Sequence, residues 1–214
     1  MNDRRCHMTI NEWESRTEIT QNLVTGANNA LRVASNLLIV LLTVCAFVLI
    51  AVLPITDKDL LRGSVSFTLP LFQANISLKP FLWLSPWVIV GLHFYLLIHL
   101  RLALTKVRRF ESTLKNIFGD GHQELQQYLH NTPLVQLILG SFRQDKLTHA
   151  FLRVISLFTL VFPPGITVLL MEIWFLSFHE TWTLISQFLA QIVDFCLVVF
   201  LWPRIVQSKY DPAP

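Results

Sequence analysis

The sequence predicts an all-α membrane protein of four transmembrane helices, with both termini cytoplasmic, a cytoplasmic helical segment and a small external β-like hairpin. Three observations carry that prediction. The 214 residues are 53% hydrophobic and only 14% charged, with mean hydropathy +0.51; this is too apolar for an ordinary soluble domain. Four apolar runs, at 33–53, 80–104, 151–176 and 182–203, are each long enough to cross about 30 Å of hydrocarbon as a helix. The cations fall on one side of those runs. Four Arg precede residue 33; Lys106, Arg108, Arg109, Lys115, Arg143 and Lys146 lie between the second and third runs; Arg204 and Lys209 follow the fourth. The two opposite loops hold only Lys58, Arg62 and Lys79. The positive-inside rule then gives four spans with both termini cytoplasmic and Thr56–Lys79 outside.

The divisions follow from these runs. Residues 1–32 read as a cytoplasmic N-terminal helix. They are polar, and the first apolar run starts too late and is too long for a cleavable signal peptide. Thr9-Ile10-Asn11-Glu12 matches a capping box, and Glu12, Glu14 and Glu18 suit the helix dipole. Gly26 is expected to weaken the continuity of that helix. Residues 33–104 hold the first two spans. In the first, Asn36 and Thr43 are a heptad apart and are expected to face a neighbouring helix; Pro54 closes it. Residues 55–79 alternate in SVSFTL and ANISL, which reads as the external hairpin. Asn75-Ile76-Ser77 fits a glycosylation sequon that has no meaning in a bacterium. Trp83 and Trp87, near the start of the second span, read as interfacial anchors. Arg101 can snorkel out of it.

Residues 105–150 read as a basic cytoplasmic helical region. TKVRRFESTLKNIF continues the second span, and Gly119-Asp120-Gly121 breaks it. A short helix is expected at 122–130, then Thr132-Pro133 opens PLVQLILGSF, too short to span. Residues 151–203 hold the third and fourth spans, and 204–214 a cytoplasmic tail. Pro163-Pro164-Gly165 interrupts the third span, where two missing donors predict a kink or break.

The fourth span carries the chain's most informative polar pattern. Gln187, Gln191 and Asp194 are spaced i, i+4, i+7 on one face. A mid-span acid costs about 2.5–3.5 kcal/mol to insert, an amount the surrounding Leu, Ile, Val and Phe offset. Such an acid must face other helices, a partner or water. His93 lies 13 residues past Pro80 and Asp194 12 past Trp182, so the two sit at similar depth. Glu172 lies near the outer end of the third span. The polar intramembrane candidates are therefore Asp194, Gln191, Gln187, His93 and Glu172, as interhelical glue or as the lining of a conduction path.

No catalytic motif is visible: the sequence has no GxGxxG, GxxxxGK[ST], HExxH, CxxC or GxSxG. The residues therefore predict no enzyme, cofactor or metal site. His93 and His99 are spaced i, i+6, which puts them on different helix faces. Cys6, Cys45 and Cys196 have no disulfide or metal spacing.

The segments LPLF…ISLKPFLWLSPWVIVGLHFYLLIHL and LRVISLFTLVFPPGITVLLMEIWFLSFHETWT…VDFCLVVFLWPRI resemble a bacterial four-span membrane module that occurs beside pentapeptide repeats or other cytoplasmic domains. The resemblance covers roughly residues 33–205. The chain lacks pentapeptide repeats, so nothing of that appended part carries over. It also resembles the membrane subunits of two-gene antiphage systems such as Hailong and Kiwa. The expectation is an oligomeric inner-membrane channel-like effector or sensor, a homo-oligomer in the lipid bilayer. It would be gated through Lys106, Arg108, Arg109, Lys115, Arg143 and Lys146 by a nucleotide, an oligonucleotide or an acidic protein. The alternative is a membrane anchor or scaffold that recruits a soluble partner and conducts nothing.

Overall fold

A computed structural model describes residues 10–55, 66–68, 75–118, 146–175 and 181–206. Nearly all of them are helical: α1 spans Ile10–Val52, α2 Leu78–Phe118, α3 Lys146–Phe175 and α4 Thr181–Val206. Each contains a segment long and apolar enough to cross a membrane: Gln21–Val52, Leu78–Arg109, Phe158–Phe175 and Thr181–Arg204. Two three-residue strands, β1 (Ser66–Thr68) and β2 (Asn75–Ser77), pair antiparallel with Phe67 opposite Ile76. The segments expected at 122–130 and at Pro133, together with Arg143, lie outside the described residues.

The helices pack in a ring, α1 on α2, α2 on α4, α4 on α3 and α3 on α1. Named contacts set their directions. Trp87 Nε1 donates to Ser186 Oγ (2.9 Å) and His93 Nδ1 meets Asp194 Oδ1 (2.6 Å), so α2 and α4 run parallel. Ala27 and Leu31 pack with Ala103 and Val107, while Val52 and Ile55 share a cluster with Leu78 and Leu82, so α1 and α2 are antiparallel. Trp174 Nε1 donates to Ile55 O (3.4 Å), which ties the C-terminal ends of α3 and α1 together. One end of the bundle therefore carries the β ladder and the start of α2. The other carries Lys106, Arg108 and Arg109. They are called the ladder end and the basic end below.

Three sequence expectations need correction. The helix does not stop at the 32/33 boundary: α1 runs through it and through Gly26. Ala27, Leu31 and Ala34 are buried, and packing on α2 outweighs the weak propensity of one glycine. Asn36 and Thr43 do not face a helix of this bundle. They are exposed, because the buried stripe of α1 runs through Leu31, Ala34, Leu41, Cys45, Val48 and Val52. Thr43 Oγ1 bonds back to Ile39 O (2.8 Å) instead. Finally, of the kink or break predicted for α3, the break is excluded, since the helix runs through Pro163 and Pro164. Thr167 Oγ1 donates to Pro163 O at 2.7 Å.

Burial is reversed relative to a soluble protein. Every helix exposes large apolar side chains, among them Ile50, Val88, Ile173 and Phe195. The charged or strongly polar His93, Gln187 and Asp194 are buried. A surface of this kind suits lipid and not water.

Candidate functional site: a polar centre inside the bundle

α4 places Thr183, Gln187, Gln191 and Asp194 on one face by helical spacing, and that face turns into the ring. Gln187 is 0% and Asp194 4% exposed. Across the seam, α2 presents His93, also 0% exposed. The equal depth read from the sequence is realised as a direct contact, His93 Nδ1 to Asp194 Oδ1 at 2.6 Å. At that distance the ring and the carboxyl group are hydrogen-bonded.

The rest of the seam follows from Pro86. Proline has no N–H, so the carbonyl of Leu82, four residues back, has no helical donor. The Gln187 amide of α4 fills that gap with a long bond, Nε2 to Leu82 O at 3.5 Å. Trp87, read from the sequence as an interfacial anchor, gives its indole N–H to Ser186 across the seam. Ser85 Oγ donates to Met171 Sδ (3.8 Å), which links α2 to α3.

α3 and α1 close the centre. A Cβ at Gly165 would stand 3.6 Å from Gln191 Nε2, so the Gln191 amide lies against the α3 backbone. Cys45 of α1 lies beside the Thr167 side chain and within electrostatic range of Asp194. All four helices thus contribute to one polar centre.

Three buried polar atoms in it have no protein partner: His93 Nε2, Gln187 Oε1 and Gln191 Oε1. A buried polar group left unmatched costs about 1–3 kcal/mol. Three such atoms within one bundle exceed what plain packing glue requires.

The other candidates fall elsewhere. Glu172 is half-buried and adjoins Met171, which bonds Ser85. It is therefore level with Ser85, about 12 Å toward the ladder end from His93, and does not join the centre. Lys106 and Arg109 are exposed and Arg108 is half-buried. They lie on α2 away from Ala103 and Val107, which pack on α1. Lys115 and Lys146 lie on α2 and α3 by position alone. Among the described residues no group of three or more His, Cys, Asp or Glu could hold a metal ion.

Sequence reasoning missed Ser85, Thr167, Ser186 and Cys45. Ser186 and Thr183 were within reach, since they extend the Gln187–Asp194 stripe by one turn. The role of Leu82 O was also readable, since Pro86 announces a freed carbonyl. Ser85, Thr167 and Cys45 carry no such signal.

No family model, curated protein or solved structure matches the chain.

Proposed function

We propose that this chain is a homo-oligomeric, channel-like effector or sensor of the bacterial inner membrane, gated from its basic end. In this reading the basic end is cytoplasmic, both termini are cytoplasmic and the β ladder is a small hairpin outside. The observation that carries the reading is the continuity of α2. One unbroken helix bears His93 in the polar centre and Lys106, Arg108 and Arg109 at the basic end. The separation is 13 to 16 residues, about 20–24 Å of rigid rod. A ligand that tilts or shifts the basic end must move one half of the His93–Asp194 contact.

The regulator is an anion: a nucleotide, an oligonucleotide or an acidic protein surface. The resemblance to membrane subunits of antiphage systems suggests the setting, defence against phage with a cytoplasmic partner that makes or presents the signal. Asn36 and Thr43, exposed on α1, supply polar groups for a second copy to meet, as intramembrane interfaces do.

A second reading, a non-conducting membrane anchor, has one observation in its favour. The polar face of α4 is used up inside its own bundle and so need not line a pore between subunits. Ion flux from proteoliposomes separates the two. The channel reading expects flux that responds to a polyanion and weakens with salt, as counterion release requires. It expects the double variant Arg108→Glu, Arg109→Glu to assemble normally and to lose the response. Absence of flux under every condition leaves the anchor.

A further inference from the structure

We propose that copies of this chain meet through the outer face of α1, side by side and parallel, along a stripe of Asn22, Asn29, Asn36, Thr43 and Ile50. The proposal rests on the homo-oligomer part of the proposed function and not on whether the protein conducts.

The stripe follows from two heptad series on one helix. Ala27, Ala34, Leu41 and Val48 repeat every seven residues and are buried against the rest of the bundle. Two residues past each of them stand Asn29, Asn36, Thr43 and Ile50. Two residues are a little over half a helical turn, so the second series faces directly away from the bundle. All four of its members are exposed, and so is Asn22, one heptad earlier. From Asn22 to Ile50 the stripe runs about 42 Å along an unbroken helix. Val33, Ile39 and Val40 flank it and are exposed as well. A seven-residue repeat held over four heptads is the pattern of a helix with a helical partner on that side. The partner of the buried series is the chain's own bundle, and the outer series has no such neighbour.

The stripe has a wet half and a lipid half. Asn22 and Asn29 precede the apolar run that begins at residue 33, Asn36 is three residues inside it and Thr43 is at its middle. Lipid offers a carboxamide no hydrogen bond, and such groups draw membrane helices together. Among the described residues of the four apolar runs, Asn36 is the one exposed carboxamide. α3 and α4 turn apolar side chains outward, such as Phe158, Ile173 and Phe195. Thr43 Oγ1 already donates to Ile39 O (2.8 Å), so Asn36 is the principal polar contact of the lipid half.

A second copy of the chain fits this face better than a different partner does. All copies carry the same loop charges and so insert with the same orientation. The symmetry axis of a closed assembly then lies along the membrane normal. Neighbouring α1 helices are parallel, and each residue meets its own counterpart at its own depth. The stripe is self-complementary under that operation. An asparagine amide both donates and accepts, so Asn pairs with Asn, and Ile50 packs on Ile50. The five stripe positions carry no charge, so like does not repel like. Arg32 flanks the stripe at its wet end, where its stem carries the charge to water.

The test is cysteine cross-linking of the full-length protein in native membranes, with Cys6, Cys45 and Cys196 replaced by alanine. Under mild oxidation Asn29→Cys, Asn36→Cys and Ile50→Cys should each give a product of two chain masses, whereas Ile173→Cys and Phe195→Cys, exposed on α3 and α4, should not. In a separate measurement, sedimentation equilibrium in mild detergent, Asn36→Leu should weaken association about three- to thirtyfold, the span of polar contacts measured between membrane helices. Asn36→Gln, which keeps the amide, should restore most of it. Both substitutions sit on the outer face, so thermal unfolding of the protomer should stay that of the parent. Cross-links at Ile173 or Phe195 and none along the stripe overturn the proposal and leave the homo-oligomer standing, with its seam elsewhere. A cross-linked product of any other mass overturns it in favour of a different partner chain, and association unchanged by Asn36→Leu overturns it too. A monodisperse monomer with no cross-link anywhere removes the homo-oligomer along with it.

Discussion

At the scale of single residues, the His93–Asp194 contact decides most. Removing one partner of a buried pair in a soluble protein costs about 3–5 kcal/mol. Polar contacts between membrane helices are measured near 0.6 kcal/mol on average, because the unfolded chain in lipid also finds partners. The membrane figure applies here. Asp194→Asn keeps an acceptor for His93 Nδ1 and should unfold in detergent within about 1 kcal/mol of the parent, while flux or toxicity on expression changes. Asp194→Leu strands the ring and should cost about 1–2 kcal/mol. Adding His93→Leu to it should recover part of that loss, because an apolar pair leaves nothing unmatched. Thermal unfolding of the three variants checks the order. Full activity in Asp194→Leu would remove the pair from any mechanism. The depth of both residues could be read from the sequence. That they face each other could not, since counting residues along a helix gives height and leaves rotation free.

At the scale of elements, the long antiparallel seam of α1 and α2 continues toward the basic end. It is made by Ala27, Leu31, Ala103 and Val107. Ala103 is 0% exposed, which allows the two backbones a close approach. Ala103→Leu should force them apart at about 1–3 kcal/mol, the usual result of overfilling a packed site. In the proposed mechanism it should also uncouple the basic end from His93. A melting temperature unchanged by Ala103→Leu would show that the seam is loose. The seam was partly legible, since Leu31 and Val107 stand out as apolar residues in polar surroundings. The alanines were silent, because a small residue reads equally well as exposed.

At the scale of the whole molecule, orientation and assembly carry the functional reading. In a background without the native cysteines, an impermeant thiol reagent added outside whole cells should label a cysteine at Ser64 or Ser66 and spare one at Ser112. The reverse pattern would invert the molecule and put the basic end outside. Native mass in mild detergent should correspond to a closed ring of identical subunits. A monodisperse monomer in both detergent and membrane would argue for the anchor. The oligomer argument has moved with the structure. In the sequence it rested on α4, whose polar face needed a partner. In the folded chain that face is internal, and the outward polar groups include Asn36 and Thr43 of α1.

The sequence by itself determined the number of spans, because hydrocarbon thickness and backbone hydrogen bonding leave an apolar run of this length only one structure. It also set the depth of each polar residue, because the rise of a helix is fixed. The tertiary structure alone decided which faces meet. The ring order α1–α2–α4–α3 depends on side-chain packing between segments about 100 residues apart, as in His93 with Asp194. Hydropathy reads the outward and inward apolar faces of a membrane helix alike. The polar centre emerges from that ring order, since all four helices contribute to it and no one helix contains it.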